Sequence, residues 1–215
     1  LIPIMALPSH VHVVEHPLIA DRLTTLRDEE TSVPDFRRCL HEISLLMAYE
    51  VTRSLSTVAR TVKTPMESTE GTALGRGVVL VPILRAGLGM LDGVLQLLPE
   101  AAVGHIGMAR NEETLLPESY YCNLPTGSGE ADLILIDPML ATGSSSIEAA
   151  RQLKAEGART ILFLCLVSCP EGIARFTEAH PDIPIYTASV DRCLSEKGYI
   201  MPGLGDAGDR CFGTL

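Results

Sequence analysis

The sequence predicts an α/β domain built on a mainly parallel sheet flanked by helices. Four short continuous apolar runs, Val78–Leu84, Leu133–Ile136, Ile161–Val167 and Ile183–Val190, have the length and composition of strands buried on both faces. Helix-like stretches separate several of them. Ser144–Glu156 carries Ile147, Ala150 and Leu153 on one face, and Gly172–Ala179 carries Ile173 and Phe176. Strand, helix, strand, helix is the pattern of a parallel sheet with crossover helices.

In chain order, the opening residues Leu1–Leu7 are apolar, lack a basic start, are broken by Pro3, and are too short to span a bilayer. They predict an early strand or arm and no membrane partner. His10, His12 and His16 lie close together, but their spacing fits a strand or loop and no carboxylate partner is evident, so no metal site is expected there. Between Asp35 and Thr61, Phe36, Leu40, Ile43, Met47, Val51, Leu55 and Val58 recur at three- and four-residue steps, as on the core-facing side of one helix. Between Gly104 and Asn123, short β-prone pieces flank the polar Arg110–Pro117 and predict a protruding hairpin arm. After Val190 the chain becomes Gly-rich and periodicity disappears, which predicts a C-terminal loop extension.

With 215 residues, of which 46% are hydrophobic and 20% charged, and with no internal repeat or low-complexity linker, a single domain spanning residues 1–215 is expected. A formal charge of −10 with no Lys/Arg-rich block excludes a sequence-independent grip on nucleic acid. An anionic substrate must be held by a few local donors. The six cysteines, Cys39, Cys122, Cys165, Cys169, Cys193 and Cys211, show no C-x-x-C pair. Reduced thiols in the cytoplasm follow, with Cys165 and Cys169 as small core residues.

Four stretches carry chemistry. In the first, the apolar run Leu133–Ile136 ends in Asp137, followed by Pro138, Met139, Leu140, Ala141, Thr142, Gly143, Ser144 and Ser145. A small-residue loop opening a helix can cradle a phosphate on free backbone N–H groups, with the hydroxyls of Thr142, Ser144 and Ser145 as further donors. It can equally be an ordinary turn with Ser or Thr as a helix cap. The second is Val81–Met90, where a buried strand delivers Arg85 into a Gly-containing turn. Such an arginine can donate two parallel bonds to phosphate oxygens, or simply lie at the surface. The third, Gly107–Thr114, sets Arg110 before Glu112 and Glu113. The fourth, Gly198–Arg210, is Gly-dense and includes Ile200, Gly205, Asp206 and Ala207. Its backbone can approach a planar base closely, or it is a plain terminal turn.

Together these stretches, from about Val78 to Thr214, resemble the uracil phosphoribosyltransferase branch of the type I phosphoribosyltransferase family. The wider family has two adjacent acids where this chain has Asp137 and Pro138, and Pro138 is itself similar to the uracil-specific branch. That branch more often has glycine at the place of Ser144. The resemblance implies transfer of the phosphoribosyl group of 5-phosphoribosyl 1-diphosphate (PRPP) to uracil, giving UMP and pyrophosphate. It implies that Arg85, Arg110, Asp137, the run Pro138–Ser145 and Asp206 contact PRPP. Ile200, Gly205, Asp206 and Ala207 would line the uracil pocket, and Asp206 and Arg110 would serve catalysis. Mg2+ is expected through PRPP rather than in a cage of protein ligands. GTP as an effector and a homodimer or higher homo-oligomer are further implications. The alternative is a catalytically silent relative that senses PRPP or UMP.

Overall fold

The computed structural model describes residues 7–110 and 117–214, with the side chains of residues 110, 117 and 118 outside that description. Leu1–Ala6 of the expected arm, and Asn111–Thr114 of the third stretch, therefore lie outside the described residues.

The elements run β1 (Val11–Val13), α1 (Pro17–Arg27), α2 (Val33–Val51), β2 (Thr57–Lys63), β3 (Ser68–Leu74), β4 (Val78–Leu84), α3 (Leu88–Leu97) and β5 (Ala102–Val103). They continue through β6 (His105–Arg110), β7 (Pro117–Asn123), β8 (Asp132–Ile136), β9 (Met139–Leu140), α4 (Ser144–Ala155), β10 (Thr160–Ser168), α5 (Pro170–Ala179), β11 (Ile185–Val190), β12 (Cys193–Leu194), β13 (Ile200–Met201) and α6 (Ala207–Phe212). The main sheet is ordered β1-β11-β10-β8-β4-β6-β7, with β5 paired to β4 and β9 to β10. Its pairs are parallel except β6 with β7.

Alternate residues of the central strands enter two different cores, which is why these strands read as unbroken apolar runs. Leu80, Ile134, Ile136, Leu162 and Leu164 pack with Leu26, Phe36, Leu40, Met47 and Met90 of α1, α2 and α3. Val79, Val81, Leu133, Leu135 and Phe163 pack with Ala149, Ala150, Leu153, Ile173 and Phe176 of α4 and α5. Cys165 and Cys169 are buried, and desolvation pushes their thiols up to about 12 and about 11, as expected of inert core residues.

The structure corrects the sequence in two places. The helix expected to reach Thr61 ends at Val51, and Val58 is an exposed residue of β2. Its place in the helical series was coincidental spacing. A second hairpin follows, β2–β3, which among the described residues pairs only with itself and has every residue of β2 exposed. The hairpin expected between Gly104 and Asn123 is the pair β6–β7: it is rooted on the main sheet where Ile83 and Leu84 of β4 align with Ile106 and Gly107, and from Met108 to Arg110 β6 pairs with β7. Finally, the C-terminal segment is not all loop, since β12 pairs with β13 and α6 follows.

Candidate active site

In a parallel sheet ligands gather beyond the carboxyl ends of the strands. Strands β4 and β8 are neighbours, with Pro82 beside Ile136, so Arg85 and Asp137 emerge at the same end. The first extends from the sheet into the turn before α3. The second begins the loop that leads through β9 into α4.

A cavity of about 320 Å3 opens there. Asp137, Met139 and Ala141 line it together with Ile200, Gly205, Asp206, Ala207 and Gly208. Ala86, from the arginine-bearing turn, completes the contact. Three stretches far apart in sequence thus share one chamber. Arg85 is exposed and donates through one terminal nitrogen to Asp209 Oδ1 at 3.0 Å, with Phe212 beneath its guanidinium. The same nitrogen reaches Thr214 Oγ1 at 3.4 Å, and among the described residues the other donors of Arg85 have no partner.

Two readings of the Asp137–Ser145 loop were open, phosphate cradle or capped turn. The residue preceding α4 is Gly143, at φ 76°, and it makes no side-chain cap. Of the hydroxyls, Thr142 Oγ1 accepts from the Ser144 N–H at 3.4 Å and donates to Ser144 Oγ at 3.2 Å, while Ser146 Oγ donates to the carbonyl of Gly143. Thr142 thus takes up the Ser144 N–H with a long bond, and among the described residues the N–H groups of Ser145 and Ser146 in the same turn have no partner and are left for an anion. Ser144 is the first residue of α4, so its helical backbone accepts a side chain where the uracil-specific branch more often has glycine. Thr142 and Ser144 are partly buried and Ser145 is exposed. Pro138 and Leu140 are buried, and the Pro138 carbonyl already accepts from Leu166 and Val167. Pro138 therefore shapes the loop without offering a polar group to a ligand.

Asp137 is half-buried on the cavity wall. Desolvation raises its pKa to about 7, offset in part by the N–H of Met139 and reinforced by the charge of Asp206. Asp206 has a second engagement, because Oδ1 accepts from the backbone N–H of Asp209 at 2.9 Å and so caps α6.

The comparisons are decisive at this point. A family model described as uracil phosphoribosyltransferase matches residues 13–214. The chain belongs to the uracil phosphoribosyltransferase family. It is 55% identical over 207 residues to the uracil phosphoribosyltransferase of Clostridium beijerinckii, covering 96% of this chain and 99% of that one. It is 54% identical over 205 residues to that of Mesorhizobium japonicum, covering 95% and 98%. Among solved structures it is similar to the AQ2163 protein from Aquifex aeolicus, with a TM-score of 0.87 at 37% identity over 94% of this chain and 97% of that one. A hypoxanthine phosphoribosyltransferase from Staphylococcus aureus aligns at a TM-score of 0.50 and 10% identity over 74% and 76% of the chains, a likeness of fold alone.

Within this uracil phosphoribosyltransferase fold, several residues of the site's surroundings were not legible beforehand. Lys197 and Tyr199 also line the cavity. Gly172, on α5, lies so close to the loop that a β-carbon there would sit 2.3 Å from the Ala141 carbonyl oxygen and 2.4 Å from that of Leu140. Cys169 Sγ also reaches Ala141 O at 3.4 Å. In sequence Gly172 reads only as a helix residue, and nothing local marks its role. The histidines have structural partners: His10 bonds Thr177, His12 stacks on Tyr186, and His16 caps α1. A larger groove, about 1110 Å3, is walled by Leu45, Leu46, Tyr49 and Leu97 and holds none of the expected site residues.

Proposed function

We propose that the protein transfers the phosphoribosyl group of PRPP to uracil, forming UMP and pyrophosphate in pyrimidine salvage. One observation carries this reading: the acid-bearing loop after β8 and the Gly-dense loop before α6 wall a single cavity of about 320 Å3. One chamber can hold a ribose against Asp137 and a base against Ile200, Gly205 and Ala207.

Cleavage of the anomeric carbon–oxygen bond leaves positive character on the ribose and negative charge on pyrophosphate. Arg85, exposed beside the cavity, and Arg110, in the third stretch, take the leaving group. Asp137 accepts from the ribose hydroxyls, and the backbone N–H groups and hydroxyls of Thr142–Ser145 anchor the 5-phosphate. Asp206 faces the base side, where it positions uracil or takes its ring proton as the new carbon–nitrogen bond forms. Among the described residues no group of three or more His, Cys, Asp or Glu could hold a metal. Two carboxylates, Asp137 and Asp206, do border the cavity, a donor set suited to a Mg2+ ion that arrives on phosphate oxygens. Such an ion would neutralise charge on the pyrophosphate.

The wider expectations belong to the same proposal. Six free cysteines support a reducing, cytoplasmic setting. Among the described residues no helix is long and apolar enough to cross a membrane. A homo-oligomer is supported by Val58, Val62, Met66 and Leu74, which lie exposed on the free hairpin and its turn. GTP is proposed as an effector on family resemblance alone.

The test is turnover of purified protein with PRPP, Mg2+ and uracil, with cytosine and hypoxanthine as control bases, GTP added in parallel, and a chelator control. Stoichiometric UMP and pyrophosphate from uracil alone supports the proposal. No product under any of these conditions, with PRPP or UMP still bound, overturns it in favour of a sensor.

A further inference from the structure

Beyond the cavity wall, one buried ion pair is aimed at the backbone of the base-side loop. Arg27, the last residue of α1, meets Asp191, just past the end of β11, through two bonds of 2.6 Å. The Asp191 side chain is 4% exposed and that of Arg27 is 24% exposed. Neither lines the cavity.

The remaining bonds of the pair have a direction. Arg27 donates to the Gly203 carbonyl at 2.7 Å, while Asp191 accepts from the Gly203 N–H at 2.8 Å. Both polar backbone groups of one residue are thus held by opposite charges of the same pair. Ser189 Oγ steadies it, donating to Asp191 at 2.8 Å and accepting from Arg27 at 3.1 Å. Burial alone would raise the pKa of Asp191, but hydrogen bonds from Arg27, Ser189 and Gly203 outweigh it and hold the carboxyl below its ordinary range.

Gly203 lies midway between Ile200 and Gly205, the two ends of the loop that wall the cavity. Its φ of 61° and the 2.2 Å that would separate a β-carbon from the Ile200 carbonyl oxygen leave room for glycine alone. Arg210 adds a second tether, donating to the Leu204 carbonyl at 2.8 Å and to the Leu26 carbonyl of α1. The excursion from Ile200 to Gly205 is therefore pinned from beneath by α1 and β11.

We propose that Arg27 and Asp191 are positioning residues for uracil recognition, setting the height of the Gly203 peptide and through it the spacing between Ile200 and Gly205–Ala207. The inference rests on the reading of that cavity as the base pocket. A base edge is read by fixed backbone donors and acceptors, so a small misplacement weakens uracil binding and its discrimination from cytosine while the phosphate cradle, on other elements, is untouched.

The experiment is steady-state kinetics of Arg27→Lys and Ser189→Ala, both mild enough to fold, beside Asp191→Asn and the pocket control Ala207→Val, with thermal midpoints measured on each. Arg27→Lys keeps the charge and loses the two-pronged geometry. The expected result is a rise of about tenfold in KM for uracil for Arg27→Lys, smaller for Ser189→Ala, with KM for PRPP within about twofold and a lower preference for uracil over cytosine. A merely structural pair would lower the thermal midpoint while leaving both KM values unmoved, and that pattern overturns the inference. If Ala207→Val raises KM for uracil and Arg27→Lys does not, the positioning role alone fails. If Ala207→Val also leaves KM for uracil unchanged, the base-pocket reading falls and takes the inference with it.

Discussion

Asp206 Oδ1 accepts the backbone N–H of Asp209 at 2.9 Å, so a residue on the wall of the cavity also caps helix α6. The two roles separate by substitution. Asparagine caps about as well as aspartate, so Asp206→Asn should change stability by no more than about 0.5 kcal/mol. Turnover should fall by at least about tenfold with KM for PRPP little changed, since only the charge has gone. Asp206→Ala loses the cap as well, at about 1 kcal/mol. Chemical denaturation and initial rates on both variants check this, and unchanged turnover in Asp206→Asn rules out proton removal by Asp206.

Asp137 places a stability cost at the heart of the site. Its pKa is raised from 3.8 to about 7, chiefly by desolvation. Between those values the folded protein keeps a proton that the unfolded chain has lost, so this group's contribution to stability falls as pH rises through that window. Asp137→Asn should therefore be more stable than the parent at pH 8, by on the order of 1–3 kcal/mol after discounting for contact with water, and converge with it near pH 4. It should also lose most PRPP binding. Thermal melts across pH, in parallel with PRPP titrations, read both effects.

The same shift gives a pH dependence of binding. Ribose hydroxyls donate to a carboxylate better than to a carboxylic acid, so the affinity for PRPP should rise with pH through about 7 and then level. In Asp137→Asn that rise should vanish. Calorimetric titration at a series of pH values, with Mg2+ held constant, makes the comparison.

Gly172→Ala tests whether α5 supports the loop after β8 as the proposed phosphate site. The added β-carbon would meet the Leu140 and Ala141 carbonyl oxygens at 2.4 and 2.3 Å, so the loop or the helix must move. A loss of about 1–3 kcal/mol in stability is expected, with KM for PRPP rising more than KM for uracil. Equal changes in the two KM values would mean that the loop is not the part displaced.

Arg85→Lys should reduce kcat/KM for PRPP by about tenfold or more, because a lysine cannot give two parallel bonds to phosphate oxygens. Stability should hardly respond. The Arg85–Asp209 pair is substantially exposed, with Arg85 at 56%, and surface pairs contribute little.

Much of this was legible in the sequence, and the exceptions have physical causes. Strands β4, β8 and β10 were legible because both their faces are buried, which leaves unbroken apolar runs. The loop after β8 and the Gly-dense loop were legible because both depend on local residue types. The hairpin β2–β3 was not, since it buries nothing and so carries no hydrophobic period. Helix α1 is short, with only Ile19, Leu23 and Leu26 buried, and a stripe that thin does not stand out. The Arg27–Asp191 pair was out of reach for another reason. Its members lie 164 residues apart, and only the sheet order that sets β11 near α1 brings them together.

The central claim is that the loop after β8 and the loop before α6 bind opposite ends of one nucleotide in one cavity. The most direct measurement is a crystal structure of the protein with UMP. The account predicts the 5-phosphate on the N–H groups and hydroxyls of Thr142–Ser145, the ribose against Asp137, and the base edge against Ile200, Gly205 and Ala207. Density for the base outside this cavity, with those backbone groups facing water, would contradict it.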